Sequence, residues 1–200
     1  MAVTESLSRA FYARPTLEVA RDLLGKALWR RTADGLAGGI IVETEAYVAA
    51  IDPAAHAYRG KTPRNASMFA VPGTAYVYRS YGMHYCLNVV TEAEGVAAAV
   101  LLRALRPTVG LELMRARRGS AISDRDLARG PGRLCQALAL TLADDGSDLL
   151  SDSLWLSEPT EPGEFRIATT PRIGITRASD WPWRFVVVGD PYVSGRGVAQ

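Results

Sequence analysis

Residues 76–90, YVYRSYGMHYCLNVV, form two short alternating runs that meet at Ser80-Tyr81-Gly82-Met83. Period-two alternation on either side of a glycine-containing turn is the pattern of a β-hairpin. A hairpin commits its strands to antiparallel pairing, and the rest of the chain lacks the regular strand–helix–strand order of a parallel sheet. The fold class that follows is α+β on a largely antiparallel sheet, in a single domain of residues 1–200. The turn itself is odd. Turn tips are usually small and polar, because apolar surface there stays in water, yet this one carries Tyr81 and Met83.

Other elements arrange themselves around the hairpin. RPTLEVARDLLG places Pro15 in a first helical turn, repeats Leu17, Ala20, Leu23 and Leu24 at helical spacing, and stops at Gly25. A strand is expected over Ala27–Arg31, a turn at Ala33-Asp34-Gly35, and a second strand over Gly38–Val48. Residues 49–71 read as polar loop, with Val71-Pro72-Gly73-Thr74 as the turn that launches the hairpin. Val96–Leu105 reads as a buried strand, Val109–Gly119 as a helix, and RGPGRLCQALAL as a glycine–proline turn entering a helix. The closing segment, residues 172–194, is expected to hold a short strand, a loop and a strand.

No run of eighteen apolar residues is present, so no helical membrane span is expected. The opening MAVTESLSRAFYARPT lacks the basic-then-apolar order of a secretion signal. Both point to a cytoplasmic protein, nucleoid-associated if bacterial. Cys86 and Cys135 fit neither a disulfide framework nor a metal spacing, and with only His56 and His84 besides, no metal site is expected. Arginines 103, 106, 115, 117, 118, 125, 129 and 133 stand against Glu112, Asp124 and Asp126 alone, whereas residues 144–164 carry seven acids and no base. Such asymmetry is either a polyanion-binding face or solvated surface charge.

Candidate chemistry begins in IIVETEAYV. Alternation puts Ile41, Glu43, Glu45 and Tyr47 on one face and Ile40, Val42, Thr44 and Ala46 on the other. A two-glutamate face often simply looks at water. Here His56 follows closely, and Arg103 stands alone in the apolar VAAAVLLRAL, where a guanidinium needs a partner or an anion. A Glu–Arg pair around a water would be a competent hydrolytic centre. Asn88, on the same strand face as His84, Cys86 and Val90, either caps a bulge or stands at a pocket floor as a shape filter. RGPGRL offers backbone N–H groups and Arg133 at a helix start, which is either a plain helix end or an anion site.

VETEAYVAAIDPAAHAYRGKTPRNASMF, PGTAYVYRSYGMHYCLNVV, VLLRALRP and GPGRLCQAL, taken in this order, strongly resemble the alkyladenine (3-methyladenine, methylpurine) DNA glycosylase family. The likeness runs from VARDLLGK almost to the closing GDPYVS. It implies a curved sheet core with peripheral helices and a protruding hairpin that inserts into DNA. It also implies a monofunctional base-excision repair enzyme, acting as a monomer on double-stranded DNA, with neither metal nor organic cofactor. Such an enzyme flips a damaged purine from the duplex and hydrolyses its N-glycosidic bond, leaving an abasic site.

Carried over by position, the resemblance makes Glu45 the general base, with Arg103 and the backbone carbonyl of Ile173 holding the attacking water. Tyr47 and Tyr78 sandwich the flipped base, His56 hydrogen-bonds near it, and Asn88 obstructs the exocyclic amino group of guanine. Tyr81 fills the gap left in the stack, which would explain an apolar turn tip. Thr62, Arg64, Met83, His84, Arg133 and Gly174 join Tyr81 at the DNA surface. His84 departs from the tyrosine expected beside the wedge, so it either contacts phosphate or packs. The preferred lesion among 3-methyladenine, 7-methylguanine, hypoxanthine and ethenoadenine stays open, and so does a rival reading as a nucleic-acid binder without catalysis.

Overall fold

The computed structural model describes residues 5–161 and 163–195. Within them eight strands follow in chain order. These are β1 (Ala27–Thr32), β2 (Gly35–Val48), β3 (Ala75–Ser80), β4 (His84–Val90), β5 (Ala98–Val109), β6 (Leu154–Ser157), β7 (Ile167–Thr170) and β8 (Arg184–Val187). The helices are α1 (Arg9–Tyr12), α2 (Thr16–Asp22), α3 (Leu111–Arg118) and α4 (Pro131–Ala137), with a longer 3-10 segment at Pro63–Phe69. All strands join one sheet in the order β3-β4-β5-β2-β1-β6, and β8 pairs with both β2 and β7. Every pairing between these strands is antiparallel. The expected α+β class, with a curved antiparallel sheet and peripheral helices, is what the chain adopts.

β2 organises the sheet. One edge pairs with β5 from Gly38 to Val48. The other is covered by β1 up to Ile40 and by β8 at Glu43–Glu45. Register shifts between Ile41 and Thr44 fall where the partner changes, and such bulges bend a strand and re-aim its side chains. Strict alternation along β2 therefore fails at one point: Ile41 does not share the glutamate face but lies with Val42 and Ala46 in the main apolar cluster.

That cluster packs Val77, Leu87, Val89, Val100, Leu102 and Ala104 from the central strands against Val19 and Ala20 of α2 and Leu134, Cys135 and Ala137 of α4. The opposite face of the hairpin end carries a second, smaller cluster around Met68, Tyr76, Val90 and Ala99. Two strand limits depart from the sequence reading. β5 runs on to Val109 because Pro107 sits opposite Gly39 at a register irregularity, where the missing N–H costs least; α3 accordingly starts at Leu111. The short strand expected within residues 172–194 is instead β7, just upstream. Helix α1 and strand β6 gave no sequence signal, being too short to show a period. Among the described residues no helix is long and apolar enough to cross a membrane.

Candidate active site

Past the bulge, alternation delivers one row of side chains from each strand to the same sheet face. β2 contributes Glu43, Glu45 and Tyr47; β5 Leu101 and Arg103; β4 Cys86 and Asn88; β3 Tyr76 and Tyr78. Their register is tight, since Asn88 is paired with both Tyr76 and Leu101, and Glu45 with Leu101. A cavity of about 440 Å³ opens over this face, lined by Tyr47, His56, Tyr76, Tyr78, Asn88, Arg103 and Ile173 among others. That size lies in the roughly 300–1,000 Å³ range of small-ligand sites.

The two glutamates differ sharply in surroundings, although both are fully buried. Glu43 is saturated. Its Oε1 accepts from Nε of Arg103 at 2.8 Å, Nε of Arg184 at 2.7 Å and Oγ of Ser194 at 3.0 Å, while Oε2 accepts from the Ser194 amide at 2.6 Å. Glu45 is held by groups that line the cavity. Its Oε1 accepts from the Ile173 amide at 2.7 Å and its Oε2 from the Tyr47 hydroxyl at 2.8 Å, with Arg103 3.2 Å away. A carboxylate offers about four acceptor sites, so Glu45 retains room for one more donor. Burial pulls Arg103 down, but Glu45 and Glu43 outweigh it and leave the guanidinium above its usual value. The part of Ile173 that touches Glu45 is its N–H, a contact the sequence reading did not include.

Tyr47 is pinned from behind. The guanidinium of Arg172 lies 4.6 Å from its ring centroid and also donates to the Ala46 carbonyl at 2.9 Å. Arg172 is itself fully buried in a pair with Asp52. Burial, then Glu45, push the Tyr47 phenol well above its usual range, which keeps it a hydrogen-bond donor to that carboxylate. On the other wall the Tyr78 hydroxyl meets the Cys86 thiol, and both groups are raised, chiefly by burial. His56 stands edge-on to Tyr78 with centroids 4.4 Å apart, and its Nδ1 is 2.9 Å from the Tyr76 hydroxyl. Burial, then the charge of Arg64, lower His56 below its ordinary value, so its imidazole favours the neutral form.

Asn88 lies at the floor. Its Nδ2 donates to the Tyr76 carbonyl at 3.0 Å and reaches the Cys86 carbonyl at 3.5 Å. Because both contacts use the amide nitrogen, the side-chain oxygen is the end left for the cavity. The sequence reading gives Tyr76 no role beyond its place in the hairpin; its position on the Tyr78 face is the signal that could have found it. Asp52, Arg172, Arg184 and Ser194 carried no local signal, because their roles exist only through long-range contacts.

The hairpin tip borders the cavity, which Ser80 and Tyr81 help to line. Tyr81 is 84% exposed and Met83 69%. Tyr81 (φ 48°) and Gly82 (φ 70°) are both left-handed, and the Met83 amide donates to the Ser80 carbonyl at 3.2 Å. The glycine accepts this conformation freely, whereas the tyrosine does so at a cost of about 1–2 kcal/mol. His84 is exposed and stands beside Gly132 at the start of α4, where an added Cβ would lie 3.0 Å from it. Thr62 caps the 3-10 segment, and Arg64 and Gly174 line cavities beside the hairpin.

The arginine-rich stretch is extensively paired, much of it at the surface. Arg103, Arg106, Arg115, Arg117, Arg129 and Arg133 all meet carboxylates. Arg118 and Arg125 reach backbone carbonyls. Arg133, the helix-start arginine, lies 3.0 Å from Asp126.

Residues 10–191 match the family model described as methylpurine-DNA glycosylase (MPG). The chain is 53% identical over 194 residues to a protein of Rhodopseudomonas palustris strain HaA2, covering 96% of this chain and 92% of that one. It is 51% identical over 191 residues to one of Burkholderia lata (94% and 91% covered). A third, from Methanoculleus marisnigri, is 51% identical over 194 residues, covering 96% of this chain and all of the relative. All three relatives are provisionally named 3-methyladenine DNA glycosylase.

Proposed function

The chain belongs to the methylpurine-DNA glycosylase family, a family of hydrolases of N-glycosyl bonds in DNA, and from that premise we propose how its own residues do the work. A damaged purine nucleotide leaves the duplex and enters the cavity, where Tyr47 and Tyr78 stack on the base and His56 hydrogen-bonds near it. A cationic alkylated purine gains cation–π attraction there; hypoxanthine or ethenoadenine would rely on hydrogen bonds and stacking. Asn88, its amide fixed by two backbone carbonyls, stands where the exocyclic amino group of guanine would arrive.

One observation carries the reading: a buried glutamate, Glu45, bonded to three groups that line the cavity. As the glycosidic bond breaks, its electron pair leaves with the base and positive charge grows on the sugar. Glu45 stabilises that charge and accepts a proton from a water whose oxygen bonds to C1′. Arg103 and the Ile173 carbonyl hold the water. Tyr81 fills the vacated stack, and Met83, His84, Thr62, Arg64 and Gly174 contact the DNA around it. Arg133 joins them by giving up Asp126, an exposed pair worth at most about 1 kcal/mol.

The test is base release from duplex oligonucleotides that each carry one defined lesion. Alkylated purines should be released by the wild type, and Glu45→Gln should retain binding while losing roughly 10²–10⁴-fold in rate. Wild-type protein that binds these duplexes without releasing any base would make the protein a lesion binder and overturn the assignment.

A further inference from the structure

The arginines of residues 103–133 all have partners, several of them at the surface, so the cations without any partner lie elsewhere. The side chains of Arg64 and Arg79 form no hydrogen bond or ion pair among the described residues, as is also true of Arg21 and Arg59, whereas Arg9, Arg14 and Arg30 all hold carboxylates. Arg64 and Arg79 line one cavity of about 370 Å³, together with Thr62, Ser80 and Tyr81. No carboxylate lines it. His56, Tyr76 and Tyr78 also border the base cavity, so β3 and the histidine form a wall between the two spaces. β3 ends the strand order, and its outer edge is covered by residues 145–147 at Ala75–Val77, so that Arg79 lies past this cover and two residues before Tyr81.

We infer that Arg79 and Arg64 form a phosphate cleft, and that it holds one backbone phosphate of duplex DNA beside the point where Tyr81 enters the stack. Two unpaired arginines and the hydroxyl-bearing Thr62, Ser80 and Tyr81 lining one cavity suit a phosphate, which takes paired N–H bonds from a planar guanidinium fork. Phosphates flank any gap in a base stack, so a cleft adjoining the inserting ring lies within their reach. Arg79 has the further effect of anchoring the hairpin: a phosphate bound to β3 fixes the strand that carries both Tyr78 and Tyr81. This inference rests on the glycosylase reading above and adds to it a subsite outside the base cavity.

The experiment measures affinity for a lesion-bearing duplex against salt concentration, for wild type, Arg79→Ala, Arg79→Lys and the control Arg21→Ala. Arg21 lies on α2 beside a different cavity, among Phe11 and Phe165. Loss of one phosphate contact should make the slope of log K on log salt shallower by about 0.9 in Arg79→Ala. Arg79→Lys should keep the wild-type slope, and Arg21→Ala should leave it alone. Neutralising single phosphates as methylphosphonates should then identify one position that weakens the wild type and has no effect in Arg79→Ala. An unchanged slope in Arg79→Ala, an equal loss in Arg21→Ala, or the absence of any coupled phosphate would each overturn the cleft. A wild type that releases bases normally under those outcomes leaves the glycosylase reading standing; one that releases none removes both.

Discussion

Replacing Glu43 by glutamine separates a carboxylate that holds the fold from the one proposed to do the chemistry. Glu43 takes four hydrogen bonds from Arg103, Arg184 and Ser194, all within 3.0 Å, and none of its surface is exposed. A glutamine can place its oxygen against the two guanidiniums, but its NH₂ then meets the Ser194 amide donor head-on. The reverse orientation sets NH₂ against both guanidiniums. Either way a buried charge loses its partner, a change that costs about 3–5 kcal/mol. For a chain of this length each kcal/mol moves the melting temperature by roughly 2–4 °C, so Glu43→Gln should melt about 6–20 °C below wild type. Glu45→Gln should fall less: its oxygen can still accept from Ile173, the Tyr47 hydroxyl can rotate to accept, and Arg103, although it then faces the NH₂, keeps its pairing with Glu43. Catalysis should show the opposite order, with single-turnover excision at 15 °C largely retained by folded Glu43→Gln and nearly abolished in Glu45→Gln. Thermal melts alongside single-turnover rates decide it. A Glu43→Gln protein that melts like wild type yet releases no base would refute the division of roles.

Tyr81→Gly should raise the melting temperature by a few degrees, since it relieves about 1–2 kcal/mol of left-handed strain, while slowing excision of well-paired lesions roughly ten- to a hundredfold through lost stacking. A fluorescent base analogue opposite the lesion reports the flipped fraction, and wild-type flipping would point to Met83 as the wedge. Asn88→Ser should open space for the guanine amino group and yield measurable release of undamaged guanine, with alkylated adenine cleaved no faster, as read in a competition assay. His56 has its pKa lowered in the folded state, so the unfolded chain protonates first as pH falls. Its contribution to stability is complete above about pH 6.5 and is lost below it, so melts between pH 5 and 7.5 should be flatter for His56→Gln than for wild type. Arg172→Met should cut stability by stranding Asp52 and raise KM for lesion duplex as Tyr47 loses its backing; an unchanged KM would show that the ring is held by other contacts.

Much of the site was legible because it is built on period-two strands. Glu45, Tyr47, Asn88 and Tyr78 reach one face by alternation alone, and the family resemblance supplied what each is expected to do. The bulge at Ile41–Thr44 was not legible, since it arises where β1 gives way to β8 and no residue type marks the change. The status of Glu43 was hidden for a similar reason, as Arg184 and Ser194 lie some 140–150 positions away in sequence. Charge was harder to read. The partners of the arginine run come partly from within it, as Asp126 does, and partly from distant segments, as Asp34 and Asp190 do.

Ile173 sits in an irregular loop with its side chain partly in water, yet its amide is donated to a fully buried carboxylate while the preceding residue is clamped to β2 and Asp52. Opening that amide to solvent requires breaking the Arg172 clamp and uncovering Glu45 together. Hydrogen–deuterium exchange at Ile173 should therefore proceed on the slow timescale of the central strands rather than the fast one of surface loops. Exchange on that timescale would place the loop in the most stable cooperative unit of the protein, with the Glu45 carboxylate held as firmly as the sheet beneath it.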